Sequence, residues 1–169
     1  ATWSGLFDLV RKRFAATSAA KERGWPAGHF SYNNTQGRCP HCEGLGFERI
    51  GLHLLEDVER PCPSCGGGRY GPDVLEVTWK GRDIASVLAM TVTEAAAFFA
   101  DDPPLAATCR AMDTLGLGHL SLGQSSTTLS SGEAQRVKLA TLMAAQSAAP
   151  EGKGKSGRPT LLVMDEPDR

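Results

Sequence analysis

Cys39-Pro-His-Cys42 and Cys62-Pro-Ser-Cys65, two Cys-x-x-Cys pairs with nineteen residues between them, have the residue type and spacing of a tetrathiolate metal site. Zinc accepts four thiolates tetrahedrally, and one Cys-x-x-Cys turn presents two sulfurs to a single ion without strain. Cys39, Cys42, Cys62 and Cys65 therefore complete the shell of one Zn²⁺. Glycines follow each pair, at Gly44 and Gly46 and at Gly66, Gly67 and Gly68. They allow backbone amides to turn in and donate to thiolates. His41 and His53 could each replace a sulfur, but the cysteines already fill the shell and both histidines read as bystanders. Cys109 falls in an apolar helical pattern and reads as a small buried hydrophobe.

A second set of residues suits anion chemistry. The run Leu129-Ser130-Ser131-Gly132-Glu133-Ala134-Gln135-Arg136 reads as the opening of a helix, whose first amides lack partners and whose dipole is positive, so it can receive a phosphate. Downstream, the apolar strand Thr160-Leu-Leu-Val-Met164 ends on Asp165-Glu166-Pro167. In that order the two resemble the signature loop and Walker B strand of ABC-type ATPases. There the signature loop caps the γ-phosphate of ATP held by the opposite nucleotide-binding domain. The resemblance implies phosphate contacts from Ser130 and from the amides of Ser131 and Gly132, with Gln135 and Arg136 on the following turns. It also implies that Asp165 holds a hydrated Mg²⁺ and that Glu166 orients or deprotonates the attacking water. No Gly-x-x-x-x-Gly-Lys-Ser/Thr loop occurs in the 169 residues, so this chain is not expected to hydrolyse ATP by itself.

The elements that must position these groups are readable from periodicity. Leu6, Leu9, Val10 and Phe14 recur at helical spacing, with Arg11, Lys12 and Arg13 largely on the other, solvated face. Residues 24–37 are rich in turn formers, and Trp25, Phe30 and Tyr32 within them read as a substitute core for a small metal module. Between the cysteine pairs, Phe47 to Val58 suggests a hairpin arm. Val74 to Trp79 reads as a strand, Lys80-Gly81 as a turn, and Asp83 as the cap of a helix through Met90. Two more helices follow, around Thr93 to Phe99 and from Pro103 to Leu115. The expected organisation is a helical domain beginning at 1–36, an inserted four-cysteine zinc finger at 37–70, its continuation at 71–145, a flexible loop at 146–159 and the Walker B strand at 160–169. The fold class is α/β (α+β).

Bulk properties narrow the function. A net charge of −1 with 41% hydrophobic residues describes an ordinary globular chain. No apolar run approaches the length of a membrane helix, and the expectation is a cytoplasmic protein. The first 25 residues carry five basic against two acidic side chains, but Gln36 to Arg82 carries six against seven. That segment has no electrostatic excess with which to attract DNA. The chain starts at Ala1 without methionine and stops three residues after Glu166, which predicts a fragment of something longer.

Along essentially its whole length the chain resembles UvrA, the damage-recognition ATPase family of bacterial nucleotide excision repair. The carrying stretches are Thr2 to Asp8, Gly28 to Asn33, Gly37 to Cys39, Gly68 to Tyr70 and, most specifically, Leu122 to Ala140. The match is to the C-terminal signature domain with its zinc finger. It implies an ATP-dependent UvrA homodimer, loading of UvrB onto damaged double-stranded DNA, and a finger that aids DNA engagement or damage sensing. Three departures stand out: Ser131 where a signature glycine is usual, Asp168 where a threonine is usual, and a longer loop before Thr160. They raise the alternative of a UvrA-like paralogue linked to resistance to DNA-damaging antibiotics. A DnaJ-type zinc module would need four cysteine repeats and leaves the signature loop unexplained. An ABC transporter domain leaves the zinc insertion unexplained.

Overall fold

The computed structural model describes residues 5–51 and 58–147. The chain divides into two compact units. One is Asp8–Ala89, and the other joins the N-terminal residues through Phe7 to the chain from Met90 onward.

Helix α1, Leu6–Ala15, opens the chain and carries on into the first unit. Its buried stripe is Leu6, Phe7, Val10 and Phe14. Phe7 takes the place expected for Leu9, which is half-buried. The expected solvated face is largely as read, with Lys12 exposed and Arg11 ion-paired to Asp8 one turn away. Thr17 then caps the short helix α2, Ser18–Glu22, by accepting from the Ala20 amide.

A 3-10 turn at Ala27–Phe30 lays Phe30 into the core of this unit, where its ring meets Phe14 at 5.6 Å between centroids. Phe14 also meets the edge of Trp79 at 6.0 Å. Trp25 and Tyr32 are only half-buried, each with a guanidinium over its ring: Arg23 at 4.9 Å and Arg69 at 5.1 Å. Tyr70, 1% exposed, closes the floor of the unit by donating its hydroxyl to the Phe30 carbonyl at 3.1 Å.

Strands β1, Phe47–Ile50, and β2, Val58–Pro61, form the expected hairpin, antiparallel with Phe47 opposite Pro61 and Ile50 opposite Val58. The segment from Val74 to Trp79 is not the strand its β-branched residues suggested. Gly71 and Pro72 start a helical turn instead, α3, Pro72–Leu75, with proline at a first-turn position where its missing amide costs nothing. Only Thr78–Trp79 (β3) is extended. It pairs with Arg82–Asp83 (β4) across the expected Lys80-Gly81 turn. Asp83 caps α4, Ile84–Ala89, by accepting from the Ser86 amide at 2.8 Å.

Among the described residues the second unit is helical. Thr91 and Glu94 form a reciprocal capping box at the start of α5, Val92–Phe98. Two prolines open α6, Pro103–Thr114. Helix α7, Ser131–Ser147, packs on α6 and extends over Gln146 and Ser147, where the sequence suggests the beginning of a loop. The core between these helices is built from Ala95, Phe99, Leu105, Ala106, Cys109, Val137 and Ala140. Cys109 is fully buried as expected, and burial pushes its thiol up to about 12. The remainder of the expected loop, 148–159, and the Walker B segment, 160–169, lie outside the described residues.

Removing the Tyr70 hydroxyl leaves the Phe30 carbonyl without its buried donor. Tyr70→Phe should lower unfolding stability by about 1 kcal/mol, measured by denaturant midpoint at unchanged slope. A variant as stable as the parent would show that this hydrogen bond contributes nothing.

Candidate functional site

The hairpin is what brings the two cysteine pairs together. Its base pair, Phe47 with Pro61, lies next to Gly46 on one side and Cys62 on the other, and the Cys62 amide donates to the Gly46 carbonyl at 3.0 Å. The outer ends of the module are tied as well. The Cys39 amide donates to the Arg69 carbonyl at 2.8 Å, the Gly71 amide to Gly37 at 3.1 Å, and Arg38 bridges Tyr70. Held in this way, the sulfurs of Cys39, Cys42, Cys62 and Cys65 all lie within 4.8 Å of one another. Three of the four residues are buried.

That arrangement fits a metal ion of zinc's preferences. Four thiolates about 2.3 Å from one centre have sulfur-to-sulfur edges of about 3.8 Å. The Cys42 and Cys65 sulfurs are 3.6 Å apart, and the widest separation needs a shift of roughly 1 Å to close on that edge. The Gly46 amide donates to Cys42 Sγ at 3.2 Å, the donation that the glycine after the first pair was expected to permit. Gly44 has φ +86°, and a Cβ there would stand 2.0 Å from the Tyr32 carbonyl oxygen. No other residue fits this turn without moving the backbone.

The thiols differ in their hold on protons. Burial raises that of Cys39, but the Cys42 and His41 amides together with hydrogen bonds to the Cys42 and Cys65 sulfurs outweigh it and draw the thiol down to about 7. Cys65 is pushed up to about 12 by burial, with the Cys42 and Cys62 sulfurs adding to the effect. Four thiolates cannot share this volume without a cation to balance them. His41 is exposed and turned to the Glu48 carboxylate, outside the sulfur cluster, as expected of a bystander. His53 lies outside the described residues.

The signature run stands in the other unit. Ser130 is the N-cap of α7, and its main-chain carbonyl accepts the first intrahelical bond from Ala134 at 3.0 Å. Its hydroxyl accepts from the Glu133 amide at 3.2 Å and donates to Glu133 Oε2 at 3.0 Å, while the Ser130 amide donates to the same oxygen at 2.8 Å. This is a capping box. The Ser130-x-x-Glu133 spacing is the sequence signal for it. Ser131 and Gly132 occupy N1 and N2, where a helix offers its own amides no acceptor. Ser131 is exposed, and Gly132 and Gln135 are half-buried. His119, which no sequence pattern connected to this turn, places Nε2 3.2 Å from Glu133 Oε1. Asp165 and Glu166 lie outside the described residues.

No family model matches the chain. Over 167 residues, 99% of its length, it is 46% identical to UvrABC system protein A of Staphylococcus epidermidis and of Bacillus subtilis. It is 47% identical to the protein of the same name from Streptomyces avermitilis. The chain spans 16–17% of the length of these relatives. Among solved structures it is similar to UvrA2 from Deinococcus radiodurans, with a TM-score of 0.77 and 53% identity, covering 84% of this chain and 17% of that one.

The capping box has a pH signature. The Ser130 amide, then its hydroxyl, then His119 hold the Glu133 carboxyl below its ordinary value. A depressed folded-state value means the contribution is complete above the unfolded value of about 4.3 and is lost as pH falls through the folded one. Glu133→Gln should therefore flatten part of the fall in thermal midpoint between pH 5 and pH 3. Parallel curves for parent and variant would refute the cap's role.

Proposed function

The chain is a UvrA-type segment by sequence and by fold, and on that premise we propose that it forms the zinc-bearing signature portion of an ABC-type ATPase. The intact protein recognises DNA damage in bacterial nucleotide excision repair. The observation that carries the reading is the pairing, in one short chain, of a four-sulfur cluster with a serine-capped signature helix. Neither a zinc chaperone module nor a transporter domain accounts for both.

In this reading Cys39, Cys42, Cys62 and Cys65 hold one Zn²⁺, which supplies the positive charge that lets all four sulfurs ionise. Held by these four residues, the ion would join the two cysteine pairs at the base of the β1–β2 hairpin. The finger serves DNA engagement by geometry, because its paired charges give no electrostatic excess.

At the signature turn, Ser130 and the amides of Ser131 and Gly132 take a phosphate of ATP held by a second UvrA protomer, with Gln135 on the next turn. Ser131 places a side chain where the family usually has none, so the approach of phosphate is tighter here. Mg²⁺, when bound, neutralises charge on the phosphate oxygens. Asp165 holds it, and Glu166 orients the attacking water and takes its proton. Closure of two protomers around nucleotide then governs the grip on damaged double-stranded DNA and the loading of UvrB. The DNA on which this machinery works places the intact protein in the cytoplasm. Among the described residues no helix is long and apolar enough to cross a membrane.

Two measurements test this function. Elemental analysis should find one zinc per chain, and Cys62→Ser should abolish stoichiometric zinc. A metal-free parent with four alkylatable thiols would contradict the site. In the full-length protein, Glu166→Gln should slow ATP turnover at least about 100-fold while an ATP-bound dimer accumulates. Unchanged turnover would remove Glu166 from the mechanism.

A further inference from the structure

The hydroxyl proton and the amide of Ser130 are both committed to Glu133 Oε2. Chemically, that oxygen is what a phosphate would be at the same place: an anionic acceptor at the start of a helix. A phosphate reaching Ser130 must therefore displace or share with a carboxylate already seated there.

The second oxygen of that carboxylate has its own partner. Oε1 lies 3.2 Å from His119 Nε2. An ionised carboxylate only accepts, so His119 donates from Nε2. The histidine is presented by a well-tied turn. The Leu120 amide donates to the Leu117 carbonyl at 3.1 Å, and the Leu120 and Gly118 carbonyls accept from the Val92 and Thr93 amides at the start of α5. Gly118 is wedged so closely between Asp113 and Thr93 that a Cβ would stand 2.3 Å from Asp113 Oδ1. The backbone that carries His119 is thus firmly tied, although its imidazole is exposed and Glu133 is the more enclosed partner. Glu133 Oε1 and Oε2 are divided between the histidine on one side and the phosphate-facing serine on the other.

We propose that Glu133 is a resident anion on the signature turn, and that His119 is the positioning residue that draws its carboxylate aside and frees Ser130 for phosphate. This rests on the reading of Ser130 as a phosphate contact. With His119 in place, the carboxylate has an alternative donor when nucleotide arrives, and part of its charge is offset. Without it, the full negative charge stays on Ser130 and opposes the incoming phosphate.

The test is steady-state ATP turnover by the full-length protein. Ser130→Ala comes first. It should raise the KM for ATP, and an unchanged KM would overturn the phosphate reading and this inference with it. His119→Phe should then raise KM about 1.5-fold to fivefold, the range of an exposed side-chain pair, with a much smaller change in kcat. His119→Gln, which keeps an N–H donor, should recover most of the loss. In a Glu133→Gln background, His119→Phe should have no further effect. His119→Ala, read in the same way, covers the case in which the larger ring disturbs the turn. If Ser130→Ala raises KM while the Phe, Ala and Gln variants of His119 behave alike, the inference fails and the phosphate reading stands. Additive effects of His119→Phe and Glu133→Gln overturn it equally. So does a loss confined to thermal midpoint, which would show a structural cap and nothing more.

Discussion

Four sulfurs confined within 4.8 Å of one another are the constraint on which the first unit is organised. Four thiolates that close together repel one another, and Cys65 is held protonated by burial and by the neighbouring sulfurs, its thiol driven up to about 12. A divalent cation reverses that preference and converts mutual repulsion into four shared bonds. The surrounding backbone is arranged for that conversion. The hairpin base aligns the second pair against the first, the Cys39 and Gly71 amides close the module's ends, and Gly46 directs an amide at Cys42. Elsewhere in the unit Phe14 packs against Phe30 and Trp79, and Tyr70, at the end of the module, is tied to Phe30 by its hydroxyl, while the module's buried cysteines form an apolar cluster of their own.

The two candidate sites share one device. In each, main-chain amides are aimed at an anion: Gly46 at a sulfur, Ser130 at a carboxylate. Amides carry no net charge and their direction is set by the backbone, so neither site needs a lysine or arginine to organise it. This is consistent with a chain whose net charge is close to zero. It also explains why glycine and serine, with no titratable groups, occupy the positions nearest the expected ligands.

Local chemistry was legible in the sequence, and tertiary arrangement was not. The cysteine spacing dictated a four-sulfur cluster because each Cys-x-x-Cys turn is self-contained, and the hairpin followed from two short runs between the pairs. Helix starts at Asp83 and Pro103 were marked by residues whose role there is local, and the Thr91-x-x-Glu94 and Ser130-x-x-Glu133 spacings carry the same kind of signal. The segment at Val74 and Leu75 misled because β-branched content suggests strand, whereas the preceding Gly71-Pro72 sets the backbone for a helical turn. Phe7 rather than Leu9 faces inward because either completes a helical stripe, and only packing decides between them. The partnership of His119 with Glu133 could not be read at all. Fourteen residues separate them, and it is the turn after α6 that brings them together.

The charges on the two paired strands of the hairpin cancel in register. Glu48 faces Arg60 and Arg49 faces Glu59 directly across the two strands, each ion-paired. Between Phe47 and Pro61 the sequence carries Arg49 and Arg60 against Glu48, Glu56, Asp57 and Glu59, an acidic surplus that is screened within about 10 Å at ordinary ionic strength. The arm's association with a polyanion would release few counterions. An arm of that charge meets a polyanion without electrostatic attraction, and any fit it makes there depends on shape at close range.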